Sequence, residues 1–380
     1  MSLVLNEDQQ ILKQTAAEFV RKESPLSRVR QLRDTSDPLG FSPQLWSKMA
    51  ELGWQGILIP EAYGGLGMGY VDMACVLEEC GRNLVPEPLL SSVLLGANAV
   101  LLAGNEAQRQ DILPKVADGT MRLSLAYHEA GARYDVCRVD TRARKRGSTY
   151  TILGRKTLVL DAHAADRLIV SARTSGDVAD HDGLSLFVVD RDAPGVKVER
   201  QSMMDLRSAS LVELEDVEVG EDARLGEEGR AGGALEDVID RAIVGLCAEM
   251  LGNMQGALEM TLAYLKTRKQ FGVVIGTFQA LKHRAAKMFI EIELSRSAVL
   301  GAASALDTDT KNARDLVSVA KARCSDAAML VGYEGIQMHG GIGMTDEHDV
   351  GFFAKRARAS ELMFGDAAYH RRRFASLQGF

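Results

Sequence analysis

An apolar stripe in the last third of the chain constrains the fold more than any other feature of the sequence. Between Val238 and Leu265, apolar side chains recur at spacings of four and three residues. This period predicts a single helix of about 30 residues. Helices of that length usually belong to helical bundles, so we expect the chain to end in one. The same period predicts further helices over residues 279–306 and 311–338, and one that starts near Val350.

The rest of the chain divides into a helical part and a β-rich part. Residues 1–118 read as helical, and Asn6 followed by Gln9 is typical of a capping box at a helix start. From Thr120 to about Gly226, short β-type runs are separated by turn residues, which predicts a small antiparallel barrel or sandwich. We therefore predict an α+β fold of three domains. These are an N-terminal helical domain (1–118), a central β-domain (119–228) and a C-terminal four-helix bundle (229–380).

The basic run Arg142–Arg146 stands just before Gly147 and Ser148. Its position predicts a solvated turn at the end of a hairpin. The alternative is a phosphate site, because four of the five residues are cations.

Composition and charge exclude several classes of protein. A chain of 380 residues is too long for one core, so several domains are expected. The net charge of −7 gives no electrostatic reason to expect nucleic acid as a partner. No apolar run reaches the roughly 20 residues that cross a bilayer. The N-terminus has no basic region followed by an apolar one, so we expect no secretory signal and a cytoplasmic location.

Neither the cysteines nor the histidines are spaced as metal ligands. The five cysteines are scattered and form no C-x-x-C pair, which indicates reduced thiols, and the seven histidines show no ligand spacing on a helix. The sequence therefore predicts no metal site. It also lacks G-x-G-x-x-G after a strand, the phosphate-binding G-x-x-x-x-G-K-[ST] motif, H-E-x-x-H and G-x-S-x-G.

Candidate binding residues concentrate in the C-terminal region. Arg268 and Gln270 supply a guanidinium and an amide near the end of the long helix. The glycine-rich run at 340–343 lets a ligand approach the backbone closely. Together they favour an anionic, dinucleotide-like cofactor. The alternative is purely structural, with a helix C-cap at the first segment and a tight turn between helices at the second.

These motifs, in this order, resemble the acyl-CoA dehydrogenase family. The motifs are E-A-Y-G-G-L-G at 61–67, R-K-Q-F-G at 268–272, F-Q at 278–279, Q-M-H-G-G-I-G-M at 337–344 and F-G at 364–365. The resemblance covers nearly the whole chain. Within the family, the chain is most similar to the small subunit of pimeloyl-CoA dehydrogenases and to other paired, heterotetrameric dehydrogenases.

The resemblance implies an FAD enzyme of fatty acid metabolism that desaturates an acyl-CoA thioester between its α and β carbons. It implies FAD between the β-domain and the bundle, a tetramer, and an electron-transferring flavoprotein as acceptor. Arg268 would meet the pyrophosphate of an FAD bound mainly by another subunit, and the 337–341 loop would approach its adenosine half. The residues so assigned to the cofactor are Arg268, Gln270, Phe271, Gln279, Gln337, Gly340 and Gly341.

The sequence departs from the family where the chemistry needs a base. Removal of the weakly acidic α-proton requires a positioned carboxylate. The family carries this Glu at one of two positions, which are Phe364 and Ala242 here. An arginine expected after the second position is Ile243. Neither candidate position therefore holds a group that accepts a proton.

The flavin-contacting stretch departs as well. The family reads Thr-Glu-Pro-Gly-x-Gly-Ser-Asp, whereas residues 128–135 read His-Glu-Ala-Gly-Ala-Arg-Tyr-Asp. His128 and Tyr134 thus replace the two hydroxyl positions. Leu160 replaces a threonine that lies near flavin N5 in the family.

Three hypotheses remain open. The chain is a base-lacking subunit that completes a FAD site in a heterotetramer. Alternatively it is a self-sufficient homotetramer with a displaced base, for which Asp366 is the weak candidate and Glu361 a second, although either carboxylate could simply be solvated or paired with the basic run 371–373. The third hypothesis is a flavin-free acyl-CoA-binding or scaffold protein.

Overall fold

The computed structural model describes residues 4–308 and 310–380. Its α-helices are α1 (Glu7–Glu23), α2 (Leu26–Asp34), α3 (Pro43–Glu51), α4 (Tyr70–Arg82), α5 (Asn98–Ala103), α6 (Glu106–Ala117), α7 (Gly232–Thr267), α8 (Gln279–Asp307), α9 (Ala313–His339), α10 (Val350–Leu362) and α11 (Ala367–Leu377). A π-helical segment, Leu89–Ala97, precedes α5. The strands are β1 (Leu123–Ala126), β2 (Arg142–Arg146), β3 (Thr149–Leu160), β4 (Arg167–Arg173), β5 (Leu184–Asp190), β6 (Val196–Ser202), β7 (Ser208–Gly220), β8 (Arg224–Leu225), β9 (Lys269–Gln270) and β10 (Val273–Val274).

The predicted order of helices, β-structure and helices is confirmed along the chain. The elements group into two compact units. The helical unit comprises the residues up to Thr35, Gly69–Val85 and Ile243–Phe380, and the sheet unit comprises Ser36–Met68 and Pro86–Ala242. No helix in the described part of the chain is long and apolar enough to cross a membrane.

The sheet unit is built on eight strands in the order β6-β7-β3-β2-β4-β5-β8, with β1 paired to β4. Most pairs are antiparallel, but β1 runs parallel to β4, with Leu123 opposite Arg167, and β2 meets β4 in parallel at Arg142 and Arg173. The sheet is therefore mixed, because it contains both parallel and antiparallel pairs. The β2–β3 hairpin lies between β1 and β4 along the chain. Apolar side chains of the strands form a buried cluster, in which the rings of Tyr150 and Phe187 lie 4.9 Å apart.

The basic run is a strand rather than a turn. Arg142–Arg146 forms β2 and pairs with β3 in a register that sets Arg142 opposite Leu153. Ala143 is the one buried residue of the strand, Arg142 is half-buried, and the three cations at 144–146 are exposed. The turn lies at Gly147, whose positive φ of 62° suits glycine. The predicted turn was therefore placed too early, because pairing with the long strand β3 extends regular structure through the basic run as far as Gly147.

The helical unit depends on close backbone approach between α4 and α7. A Cβ on Gly252 would stand 1.7 Å from the carbonyl oxygen of Glu78, and one on Gly81 would stand 2.0 Å from that of Glu249. Larger residues at these two positions would separate the helices. On α10, the guanidinium of Arg356 is buried and donates to Glu249 at 2.7 Å, so the close packing also encloses a paired charge.

The predicted helix starts and ends are close to those observed. Asn6 Oδ1 accepts from the backbone N–H of Gln9 at 2.8 Å, and the side chain of Gln9 accepts from the N–H of Asn6 at 3.1 Å. The predicted capping box is thus present. Among the described residues, five helices, α7 to α11, follow the sheet, because the last predicted helix, which starts near Val350, is divided into α10 and α11. The additional break follows Leu362, where Phe364 and Gly365 both have positive φ.

Candidate functional site

A short hairpin between α7 and α8 carries three of the candidate cofactor residues, Arg268, Gln270 and Phe271. The N–H of Arg268 donates to Tyr264 O at 2.8 Å as α7 ends, and Arg268 O accepts from the N–H of Ile275 at 2.9 Å. Between them β9 and β10 pair, and Phe271 and Gly272 form the turn with φ of 55° and 79°. The Phe271 side chain is 90% exposed, so the turn presents an aromatic ring to solvent.

The hairpin also positions Gln279. The rings of Phe271 and Phe278 lie 6.1 Å apart in an edge-to-face arrangement. Phe278 precedes the first residue of α8, which is Gln279. Arg268 and Gln279 therefore stand at the two ends of one compact loop.

The 337–341 segment forms the end of α9. The N–H of Gly340 donates to Gln337 O, and Gly340 has a φ of 65°, which ends the helix in a conformation that suits glycine. A Cβ on Gly340 or Gly341 would meet no atom within 4 Å. The backbone of this turn is therefore open to an approaching ligand, and the helix C-cap expected as the alternative is present as well.

A group of three rings joins these two segments. Tyr264, one turn before Arg268, lies 4.5 Å from the ring of His339, and His339 lies 4.4 Å from that of His348. His339 Nδ1 donates to Gly335 O at 2.7 Å. Burial lowers the pKa of His339 and of His348, so both rings are neutral at pH 7. The end of α7 and the end of α9 therefore lie side by side.

The polar side chains of this region are available to a ligand. Those of Arg268, Gln270, Gln279 and Gln337 are exposed, and none forms a hydrogen bond or ion pair with another described residue. Arg284 on α8, by contrast, is paired with Glu334 at 2.5 Å. A free guanidinium, three free amides and an open glycine backbone have the chemistry that fits the phosphates and polar edges of FAD.

The structure places no proton acceptor at either family position of the base. Ala242 and Ile243 are fully buried in α7. Phe364 lies in the turn between α10 and α11 with a φ of 59°. A positive φ is costly for a residue with a Cβ, by about 1–2 kcal/mol, so the surroundings must hold this turn in place.

Two buried side chains hold the turn around Phe364. Lys321 Nζ donates to Glu361 O at 2.9 Å and to Gly365 O at 2.7 Å, and His370 Nε2 donates to Phe364 O at 3.0 Å. Burial lowers the pKa of Lys321 to about 8 and that of His370 to about 3. His370 is therefore a neutral donor at pH 7.

The two carboxylates considered as displaced bases have structural partners. Asp366 is the N-cap of α11, and its Oδ1 accepts from the N–H of Tyr369 at 2.7 Å. Glu361 is paired with Arg358, and Arg371 of the basic run is paired with Asp326 rather than with either carboxylate.

In the sheet unit, both nitrogens of His128 are engaged. Nδ1 lies 3.1 Å from Thr157 Oγ1, and Nε2 lies 3.1 Å from Arg133 O. Burial lowers the pKa of His128, so the ring is neutral at pH 7. His128 thus fixes its own loop instead of offering a free hydroxyl-like donor. Leu160, at the family's threonine position, is the last residue of β3, the strand that also carries Thr157. Its side chain is a hydrocarbon and donates no hydrogen bond.

Glu129 is tied to a buried lysine. Lys156 Nζ donates to Glu129 Oε1 at 2.6 Å and to Ser171 Oγ at 2.9 Å, and Glu129 also accepts from Thr141 Oγ1 at 2.6 Å. Burial lowers the pKa of Lys156 to about 8. Although burial opposes its charge, the nearby ammonium keeps the pKa of Glu129 below its usual value. Glu129 therefore anchors the 128–141 loop.

Sequence reasoning missed Lys156, Lys321 and His370 as the groups that hold these loops. For Lys321 a signal was available, because it shares a helix face with Val317, Cys324 and Ala328 at spacings of three and four. A lone lysine on an apolar face indicates a buried ammonium.

Comparison with known proteins identifies the family of the chain. The chain matches the family profiles described as acyl-CoA dehydrogenase N-terminal domain (residues 6–120), middle domain (124–217) and C-terminal domain (235–377). It is 32% identical over 377 residues to the probable acyl-CoA dehydrogenase YngJ of Bacillus subtilis (strain 168), covering 98% of each chain.

Solved structures share the fold. Butyryl-CoA dehydrogenase from Megasphaera elsdenii matches with a TM-score of 0.92 at 26% identity, covering 100% of both chains. A chain of the ChsE4–ChsE5 complex from Mycobacterium tuberculosis matches with a TM-score of 0.88 at 26% identity, covering 100% of this chain and 99% of the other. The predicted fold class is confirmed, with a mixed rather than purely antiparallel central sheet. The chain belongs to the acyl-CoA dehydrogenase family, whose members are FAD-dependent oxidoreductases acting on CH–CH bonds.

Proposed function

We propose that this chain is the base-lacking subunit of a heterotetrameric, FAD-dependent acyl-CoA dehydrogenase. One contrast carries the proposal. Both positions of the family's base hold hydrocarbon side chains, Phe364 and Ala242, whereas Arg268, Gln270 and Gln337 remain exposed and unengaged. A chain that had lost its role in cofactor binding as well would have no need to keep these polar groups free.

The chemistry divides between the subunits accordingly. FAD, when bound, accepts the β-hydrogen of the acyl-CoA as a hydride. Arg268 would bind phosphate oxygens of that cofactor, with Gln270, Phe271 and Gln279 placing it and Gln337, Gly340 and Gly341 meeting its adenosine half. The carboxylate that removes the α-proton would come from the other, homologous subunit. Transfer of the electrons to an electron-transferring flavoprotein completes the proposed reaction.

Two further observations support a heteromeric role. A structure with the same fold comes from a complex of two named components, ChsE4 and ChsE5. Within this chain, the carboxylate of Asp366 caps the N-terminus of α11, which weighs against its being a displaced base. The self-sufficient homotetramer is therefore the weaker alternative.

The test compares the chain purified alone with the chain co-expressed with a homologous dehydrogenase. We expect the chain alone to hold well under one FAD per chain and to desaturate no acyl-CoA. With its partner it should form a tetramer that contains FAD and is active. Stoichiometric FAD together with turnover in the chain alone would contradict the proposal, and acyl-CoA binding without flavin in every combination would favour the scaffold hypothesis.

Arg268→Ala tests the cofactor role within the active complex. Loss of a charge-assisted hydrogen bond costs about 1.5–3 kcal/mol, so FAD should bind roughly 10- to 100-fold more weakly. Lys287→Ala on α8, also an exposed cation, is the matched control and should leave FAD affinity unchanged. Equal FAD affinity in the two variants, measured by flavin fluorescence during dilution, would exclude Arg268 from the cofactor site.

A further inference from the structure

Three residues of ligand type meet beside the first turns of α7, within the sheet unit. Cys137 precedes β2, His181 precedes β5, and Glu236 lies on α7. One ligand atom of each lies within 4.8 Å of the other two. Cys137 is buried, Glu236 is half-buried and the His181 side chain is 57% exposed, so the cluster lies at the surface with its sulfur on the inner side.

The spacing suits one small ion better than direct hydrogen bonds. His181 Nε2 lies 3.8 Å from Glu236 Oε1, which is beyond hydrogen-bond distance. Two ligands at about 2.0–2.2 Å from a Zn²⁺ ion stand roughly 3.4 Å apart at the tetrahedral angle. The separation of 3.8 Å between His181 Nε2 and Glu236 Oε1 exceeds this value by only about 0.4 Å. The sulfur lies within 4.8 Å of the other two ligand atoms, whereas a Zn–S bond of about 2.3 Å sets a thiolate roughly 3.5 Å from a second ligand, so the ligands must close in by roughly 1 Å when the ion binds.

A buried guanidinium holds the two loops that carry the cysteine and the histidine. Arg173 Nη2 donates to Cys137 O at 2.6 Å and to Asp180 O at 2.9 Å, and Arg173 Nη1 donates to Asp182 O at 3.0 Å. The N–H of Cys137 donates to Asp135 Oδ1 at 3.0 Å. The backbone on both sides of the cluster is therefore fixed, as it is around preorganised ligand sites.

The His181 ring lies between a glycine on α7 and a carboxylate. A Cβ on Gly232 would lie 2.7 Å from His181 O and 3.0 Å from His181 Cε1, so only glycine leaves this space. On the other side of the ring, Nδ1 lies 3.8 Å from Asp182 Oδ1, which is not a hydrogen bond but places a carboxylate on the side of the second nitrogen. Metal-binding histidines usually have a carboxylate or carbonyl on that side.

We propose that Cys137, His181 and Glu236 bind a divalent transition-metal ion, with Zn²⁺ as the best fit and a water molecule as the fourth ligand. A mixed sulfur, nitrogen and oxygen set selects Zn²⁺ over Mg²⁺ and Ca²⁺, which prefer oxygen alone. The ion joins the loops before β2 and β5 to the start of α7 and thereby stabilises that junction. The sequence predicted no metal site because the three ligands come from distant segments and form no local motif.

Co²⁺ is the probe for this site, because thiolate ligation to Co²⁺ produces a charge-transfer band in the near ultraviolet. Metal-free protein is titrated with Co²⁺, and Zn²⁺ is then added in competition. We expect one Co²⁺ per chain with the thiolate band, and displacement by one equivalent of Zn²⁺. Cys75→Ser, which removes a buried thiol from the helical unit, is the matched control and should retain the band.

Three variants separate ligation from folding. Cys137→Ser should abolish the band. The exposed His181→Asn should weaken Co²⁺ binding in a chain that folds normally, and Asp182→Asn should weaken it by about 10- to 100-fold as a supporting carboxylate. The proposal is overturned if the metal-free protein takes up no stoichiometric Co²⁺, or if the band survives in Cys137→Ser or is unaffected in His181→Asn.

Discussion

Replacing His370 by glutamine tests whether a buried, neutral imidazole holds the turn at the position of the missing base. His370 is fully buried on α11, and its Nε2 donates to Phe364 O. Burial, with a further contribution from the Lys321 ammonium, lowers the pKa of His370 from 6.5 to about 3. Glutamine retains an N–H donor but has no group that titrates between pH 3 and 7.

The sign and size of the effect follow from this shift. Between pH 3 and 6.5 the unfolded state binds a proton at His370 that the folded state does not, so stability rises with pH across this window. Each pH unit is worth about 1.36 kcal/mol. On lowering the pH from 7 to 5, the wild-type protein should therefore lose about 2 kcal/mol through His370 alone. Other histidines titrate equally in both proteins and cancel in the comparison.

Hydrogen exchange is the suitable assay, because both tryptophans, Trp46 and Trp54, belong to the sheet unit and do not report on α11. The N–H of His370 donates to Asp366 O at 3.1 Å, so its protection measures the opening of α11. We expect the opening free energy to fall by about 2 kcal/mol from pH 7 to 5 in the wild type and to change little through this position in His370→Gln. Parallel pH dependences in the two proteins would refute the assignment of His370 as the neutral donor.

Other predictions concern packing and a buried cation. Gly252→Ala should destabilise the helical unit by several kcal/mol, because its Cβ would overlap Glu78 O, whereas Gly301→Ala on α8, where a Cβ meets nothing within 4 Å, should stabilise it by about 0.5–1 kcal/mol. Thermal unfolding of the two variants measures this, and equal shifts would contradict the packing argument. Lys321 has its pKa lowered by burial from 10.5 to about 8, so the unfolded state binds more protons above pH 8 and stability should rise by about 1.36 kcal/mol per unit toward pH 9.5. Lys321→Met should lack this rise in hydrogen-exchange measurements on α10 and α11. A rise of the same size in the variant would show that the pH dependence does not come from Lys321.

The candidate cofactor residues show how far motif reasoning extends. Arg268, Gln270, Gln337 and Gly340 were selected from two short segments, and the structure places the ends of those segments side by side through the rings of Tyr264 and His339. Their role toward FAD remains a prediction. The rings that bring the segments together could not be identified beforehand, because a stacking contact depends on how α7 and α9 pack.

Features that depend on neighbouring residues were determined by the sequence itself. The capping box at Asn6, the long period of α7 and the glycine that ends α9 all arise from bonds and side-chain spacings within a few residues. The absence of a carboxylate at Phe364 and Ala242 was also evident from the sequence, because residue identity alone shows whether a side chain can accept a proton.

Tertiary structure alone decided which charged groups are buried and what they hold. Lys156 meets Glu129, Lys321 meets the carbonyls around Phe364, and Arg173 meets the loop of Cys137, each across a separation that no local pattern records. Burial then lowers the pKa of Lys156 and of Lys321, because removing a charge from water costs free energy that the neighbouring sequence does not reveal. Pairing energy also turned Arg142–Arg146 into a strand, because its partner β3 satisfies the backbone of the whole run.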